Sequence, residues 1–152
     1  MELKQYQQAV LNDLAQYIAI LKEQGSNHKA FSTYWKQNGI TLQQGEETFH
    51  PYCDTMNGAP NMTIKVPTAG GKTFIACNAI RTIFDAMPVN RTKVVAWFVP
   101  SDTILKQTYE NLKNPQHPYR QRIDTLFNGR VEVYDKQALL FGQNFNPTII
   151  KE

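Results

Sequence analysis

The octapeptide Val66-Pro67-Thr68-Ala69-Gly70-Gly71-Lys72-Thr73 constrains this chain more than any other feature. Two adjacent glycines let a backbone approach an anion with no Cβ in the way. Upstream, Met62-Thr63-Ile64-Lys65-Val66 alternates as a strand does, and downstream Cys77, Ile80, Phe84 and Met87 recur on one face of a helix. Strand, glycine turn and helix in that order make a phosphate-binding loop, in which N–H groups converge on oxygen atoms at the positive end of a helix. Lys72 then reaches the β- and γ-phosphates of a nucleotide, and Thr73 holds its Mg2+. The strict G-x-x-x-x-G-K-[ST] spacing is not met, because Val66 stands where its first glycine belongs. The plain alternative is a helix-entry turn.

The remaining pattern extends the α/β reading. Leu3, Tyr6, Val10, Leu14, Ile18 and Leu21 predict an amphipathic helix ending near Gly25. A second helix is predicted from His28 to Gln37, with Asn27 as its cap and Phe31, Tyr34 and Trp35 as its apolar side. Residues 38–60, rich in Gly and Pro, read as loop. Val94 to Val99 is continuously apolar, as a parallel strand covered on both faces would be. Two more helices are predicted, at 102–114, with Leu105, Thr108, Tyr109 and Leu112 inward, and at 119–127, stopping at Asn128-Gly129. Val131, Val133 and Tyr134 suggest a third strand and Thr148-Ile149-Ile150 the start of a fourth. The expectation is a RecA-like P-loop NTPase fold: a mostly parallel sheet with helices on both faces, preceded by N-terminal helices. Residues 1–60 form the leading segment of the motor domain, and 61–152 the first part of the ATP-binding domain, incomplete at its C-terminus.

Three motifs carry a resemblance. "VPTAGGKT" resembles motif I of superfamily-two (DEAD/DEAH-type) helicases, A-P-T-G-x-G-K-T, with Ala69 where glycine is usual. If that position needs a positive φ, alanine costs on the order of 1 kcal/mol there. "LKQYQQ", Leu3 to Gln8, resembles the upstream glutamine motif. Gln7 follows an aromatic residue, and its amide matches the N6/N7 edge of adenine; an exposed polar helix position is the other reading. "VPSDTILKQT", Val99 to Thr108, resembles motif Ia, P-T-R-E-L-A-x-Q, which grips a nucleic-acid backbone. A Ser101 hydroxyl and the free N–H groups of a new helix can hold a phosphate, or Ser101 simply caps that helix. Asp102 stands where arginine is usual, so Lys106 and Gln107 become the candidate contacts.

Together these resemble the restriction (Res) subunit of type III restriction–modification systems. The L-x-x-Y-Q-Q helix, the long gap to motif I, V-P-T-x-G-G-K-T and W-x-V-P-S-D-T-I-L-x-Q-T all match, and the odd Asp102 is normal in that family. The resemblance implies an ATP-dependent DNA translocase or helicase of a restriction endonuclease, a hydrolase using ATP and Mg2+. Its nucleotide site would be Pro67, Thr68, Ala69, Gly70, Gly71, Lys72 and Thr73, with Gln7 on adenine and with Lys72 and Thr73 catalytic. Ser101, Lys106 and Gln107 would meet DNA, and a modification (methyltransferase) subunit would be the partner.

Other features bound the reading. The sequence holds no D-E-x-x run, so turnover by these 152 residues alone is not expected. Net charge is +3, but residues 61–122 carry +6, around the loop and the segment after it. Two cysteines, Cys53 and Cys77, make no disulfide framework and point to a reducing, cytoplasmic setting. No apolar run approaches the ~20 residues of a membrane helix, and Met1 to Gln5 does not open as a signal peptide does. His50-Pro51-Tyr52-Cys53-Asp54 lacks the second cluster a metal site needs. Cys77 reads as a small core residue, and Tyr119-Arg120-Gln121-Arg122 as a solvated helix face rather than a nucleic-acid contact. Two rivals stay open: a small P-loop kinase or NTPase, and a nucleotide-dependent module that binds DNA or protein without catalysis.

Overall fold

A computed structural model describes residues 1–40, 52–56, 58–89 and 92–140. They form six helices: α1 (Gln5–Gln24), α2 (Asn27–Gln37), α3 (Lys72–Ala86), α4 (Asp102–Lys113), α5 (Pro118–Phe127) and α6 (Lys136–Leu140). The chain divides into two compact units, Leu3–Lys72 and, with Met1–Glu2, Thr73–Glu152.

The parallel-sheet, RecA-like expectation is corrected here: helix makes up 58% of the structure, and the described residues form no strand. The runs expected as strands, 62–66, 94–99 and 131–134, carry no ladder. Much of the second is open to solvent, with Val94 at 82% and Phe98 at 90% exposure. Apolar, β-branched sequence reports a surface that will be partly buried, and says nothing of what lies along the backbone edge. Trp97, Val131 and Val133 pack against helices instead, on the Cys77–Leu112–Ile123 cluster. The fourth strand expected at 148–150 lies outside the described residues.

In the Leu3–Lys72 unit, α1 turns Gln7, Leu11, Leu14, Tyr17 and Ile20 inward. That stripe is displaced by about one residue from the aliphatic one expected, because a buried amide, Gln7, heads it. Gly25, left-handed, closes the helix by donating to the Leu21 carbonyl. Ala30 of α2 is fully buried against Tyr17 and Ile20, with Leu21, Phe31 and Tyr34 around them. Ser26, not Asn27, holds the N-cap position of α2. The Asn27 amide instead donates 3.2 Å to the Ala59 carbonyl. The loop is fastened a second time by Tyr52, whose hydroxyl accepts from Asn61 N–H at 2.7 Å while its ring packs on His28 and Phe31.

In the unit that starts at Thr73, Cys77, Leu112 and Ile123 bring α3, α4 and α5 together. Cys77 is fully buried, and desolvation pushes its thiol up to about 11, as suits a core residue. Asn78 is buried beside it, donating to the Phe74 carbonyl and accepting from Arg122 Nε at 2.7 Å. Arg81 returns the tie from α3, donating 2.7 Å to the Leu126 carbonyl at the end of α5. The expected solvated face of α5 is therefore corrected. Arg120 chelates Asp124 through Nε at 2.9 Å to both oxygens and reaches the Val131 carbonyl. Tyr119 stacks on Phe74. Beyond the i,i+4 pair of Arg120 with Asp124, each guanidinium reaches an oxygen outside its own helix, a reach that local periodicity does not encode.

Candidate functional site

The glycine-rich loop is a tight turn laid against the start of α1, all within the Leu3–Lys72 unit. Gly70 N–H donates 3.0 Å to the Pro67 carbonyl, closing a four-residue turn whose third residue, Ala69, has φ 59°. A positive φ confined to that position marks a type II turn, where glycine is the usual occupant. Gly71 is also left-handed, at φ 70°, while Gly70 between them is not. Alternation of hand along successive residues is how a backbone gathers N–H groups into an anion-binding hollow.

Gly70 is required by contact with backbone, and Gly71 by its left-handed conformation. A Cβ at Gly70 would lie 2.6 Å from Val66 Cγ1 and 2.9 Å from the Pro67 carbonyl oxygen. At Gly71 it would lie 2.6 Å from Gln7 Nε2. The surface is thus bare backbone, and its chemistry fits a phosphate chain. Lys72 is exposed, with Nζ 2.9 Å from the Pro67 carbonyl, so the cation is held over the turn that precedes it. Thr73, half-buried, is the second residue of α3. The first N–H groups of that helix have no intrahelical acceptor.

Gln7 is 2% exposed, and both ends of its amide are engaged. Its Oε1 accepts from Lys4 N–H at 2.9 Å, capping α1, and its Nε2 donates 3.1 Å to the Gly70 carbonyl. The same carbonyl accepts from the Tyr6 hydroxyl at 2.7 Å, and Tyr6 Oη in turn lies 3.3 Å from Gln7 Nε2. Sequence reasoning missed Tyr6. The only signal was that it precedes Gln7, and nothing local says that a residue 64 positions away supplies its acceptor.

The second candidate segment is built more loosely. Ser101 caps α4, its Oγ accepting from Ile104 N–H at a long 3.4 Å. Ser101, Lys106 and Gln107 are all exposed. Of the residues expected inward on α4, Leu112 is buried and Thr108 and Tyr109 half-buried, but Leu105 is 44% exposed.

Two carboxylates of the second unit have structural duties of their own. Asp124 is held by Arg120, and Asp135 Oδ1 accepts from Ala138 N–H at 2.7 Å at the head of α6. Among the described residues no group of three or more His, Cys, Asp or Glu could hold a metal; His50 and Pro51 of the candidate cluster lie outside them. No helix among them is long and apolar enough to cross a membrane.

Against known families, residues 1–144 match the model described as the type III restriction enzyme, Res subunit. The chain belongs to that family. Searches of curated proteins and of solved structures returned no match. Membership of the Res-subunit family makes this a helicase-like module of a type III restriction system. Among the described residues, the glycine loop offers bare backbone beside Lys72, and the Ser101–Gln107 segment offers an exposed lysine at a helix start.

Proposed function

We propose that this Res-family chain binds Mg–ATP on residues 67–73, as the nucleotide-binding part of an ATP-dependent DNA translocase in a type III restriction endonuclease. The observation that carries the reading is the loop's geometry: two left-handed residues, two glycines with no room for a Cβ, and Lys72 held over the turn. In that reading Lys72 neutralises the β- and γ-phosphates, and Thr73 holds the Mg2+ that the nucleotide brings. The bound metal would supply charge neutralisation for phosphoryl transfer. DNA is met by Ser101, Lys106 and Gln107, and the modification (methyltransferase) subunit is the protein partner. Gln7 meets adenine only if nucleotide draws its amide from Gly70 or Lys4. The 152 residues bind nucleotide rather than turn it over, since the sequence holds no D-E-x-x run to complete the Mg2+ site.

Titration of a fluorescent ATP analogue into wild type and Lys72→Ala tests this. A loss of at least tenfold is expected, because one charged contact to phosphate contributes roughly 1.5–3 kcal/mol. Equal affinities would end the loop assignment.

A further inference from the structure

The Gly70–Gly71 peptide can present either of two faces to a bound anion. In a trans peptide the C=O of one residue and the N–H of the next point in opposite directions, and this peptide is trans. With glycine on both sides, rotating the plane meets little steric resistance, as in the exchange between turn types. One orientation offers the Gly71 N–H, an anion donor. The other offers the Gly70 carbonyl oxygen, which repels phosphate.

Two donors on α1 decide between them. The Tyr6 hydroxyl at 2.7 Å and Gln7 Nε2 at 3.1 Å both end on the Gly70 carbonyl, drawing it toward the helix. Planarity then turns the Gly71 N–H away from α1, and that N–H makes no hydrogen bond with any described residue. Gln7 has a second reason to be where it is, since it caps its own helix at Lys4. Tyr6 has none: the residue is 41% exposed, and its hydroxyl's described partners are the Gly70 carbonyl and the Gln7 amide.

From this geometry we infer that Tyr6 is a positioning residue for phosphate, locking the Gly70–Gly71 peptide in its anion-binding orientation. The inference rests on the nucleotide reading above and deepens it. Without the hydroxyl, the loop samples the flipped peptide, and apparent affinity falls by the fraction of molecules that remain competent. One lost hydrogen bond shifts that equilibrium about fivefold, so apparent affinity falls by at most about fivefold.

The lock differs from base recognition in what it predicts for a ligand without a base. Tyr6→Phe keeps the ring and removes only the hydroxyl. In the 152-residue chain it should weaken tripolyphosphate and ATP by the same factor, up to about fivefold. In ligand-free protein the Gly71 amide resonance should shift and broaden as the peptide exchanges between orientations. If Tyr6→Phe weakens ATP alone, the hydroxyl serves the base and the lock is overturned. An unmoved Gly71 resonance with unchanged affinities also overturns it, as does a lowered melting temperature with tripolyphosphate affinity intact. Wild type that binds tripolyphosphate no better than Lys72→Ala removes the anion and with it the proposal. The Gly71 resonance, read without ligand, then shows whether the hydroxyl orders the peptide for some other reason.

Discussion

Two stretches of this chain are suited to phosphate, Pro67–Lys72 and Ser101–Gln107, and they are held by very different numbers of bonds. In the first, the Pro67 carbonyl takes two donors, Gly70 N–H and Lys72 Nζ, and the Gly70 carbonyl takes two more. In the second, one hydroxyl at 3.4 Å caps a helix, and the side chains that would meet a ligand are exposed to solvent. A small anion that must sit in one place rewards a backbone fixed beforehand. A polymer that slides past rewards exposed, mobile cations whose contacts are weak and interchangeable. The contrast fits the ligand each segment is proposed to hold.

The sharpest way to break the contrast is Gly70→Ala. The new methyl would meet a valine methyl, which can rotate away, and a turn carbonyl, which cannot. Crowding of this kind costs about 2 kcal/mol, and chemical denaturation should read that loss together with at least a tenfold weaker ATP analogue. A stable, fully binding Gly70→Ala protein would mean the loop is as loose as the second segment.

Ala69→Gly acts the other way. It relieves a left-handed alanine, worth about 1–2 kcal/mol, against about 0.5–1 kcal/mol of extra unfolded-state freedom. The net should be a stabilisation of roughly 0.5 kcal/mol, seen as a melting temperature higher by about 1–2 °C. A drop would show that φ at 69 is not the strained feature.

In the looser segment the effects should be smaller on stability and visible only with DNA. Ser101→Ala removes a long cap bond and should cost about 0.5 kcal/mol. Lys106→Ala should leave melting unchanged and reduce the slope of log affinity against log salt by about one. A slope unaltered by Lys106→Ala would take that residue off the DNA path.

The sequence spelled out what depends on neighbours along the chain. The ends of α1 at Gly25, α4 at Ser101 and α5 at Asn128 come from capping and turn chemistry that act within four residues. It also isolated Ala69 as the residue whose φ mattered, and that φ is positive. What it missed depends on distant groups. Val94–Val99 reads as a strand from its own composition, yet whether a strand forms is decided by a second backbone alongside it, and helices take up Trp97 instead. Gln7 looks like a surface residue and Tyr6 like one more member of the apolar stripe until the Gly70 carbonyl is brought to them. Arg122 looks solvated until Asn78 is seen buried with an oxygen to offer.

The short contact between Lys72 and the Pro67 carbonyl has a thermodynamic corollary. A free lysine side chain carries up to ~2 kcal/mol of rotamer entropy that is lost when it is pinned. Here the ammonium already rests on a carbonyl 2.9 Å away, so part of that ordering is complete before any ligand arrives. An incoming anion meets a cation whose search is largely over, and its capture need not wait for the side chain to find it. The calorimetric mark would be an entropy of association less unfavourable in wild type than in a Pro67 variant whose carbonyl has turned away.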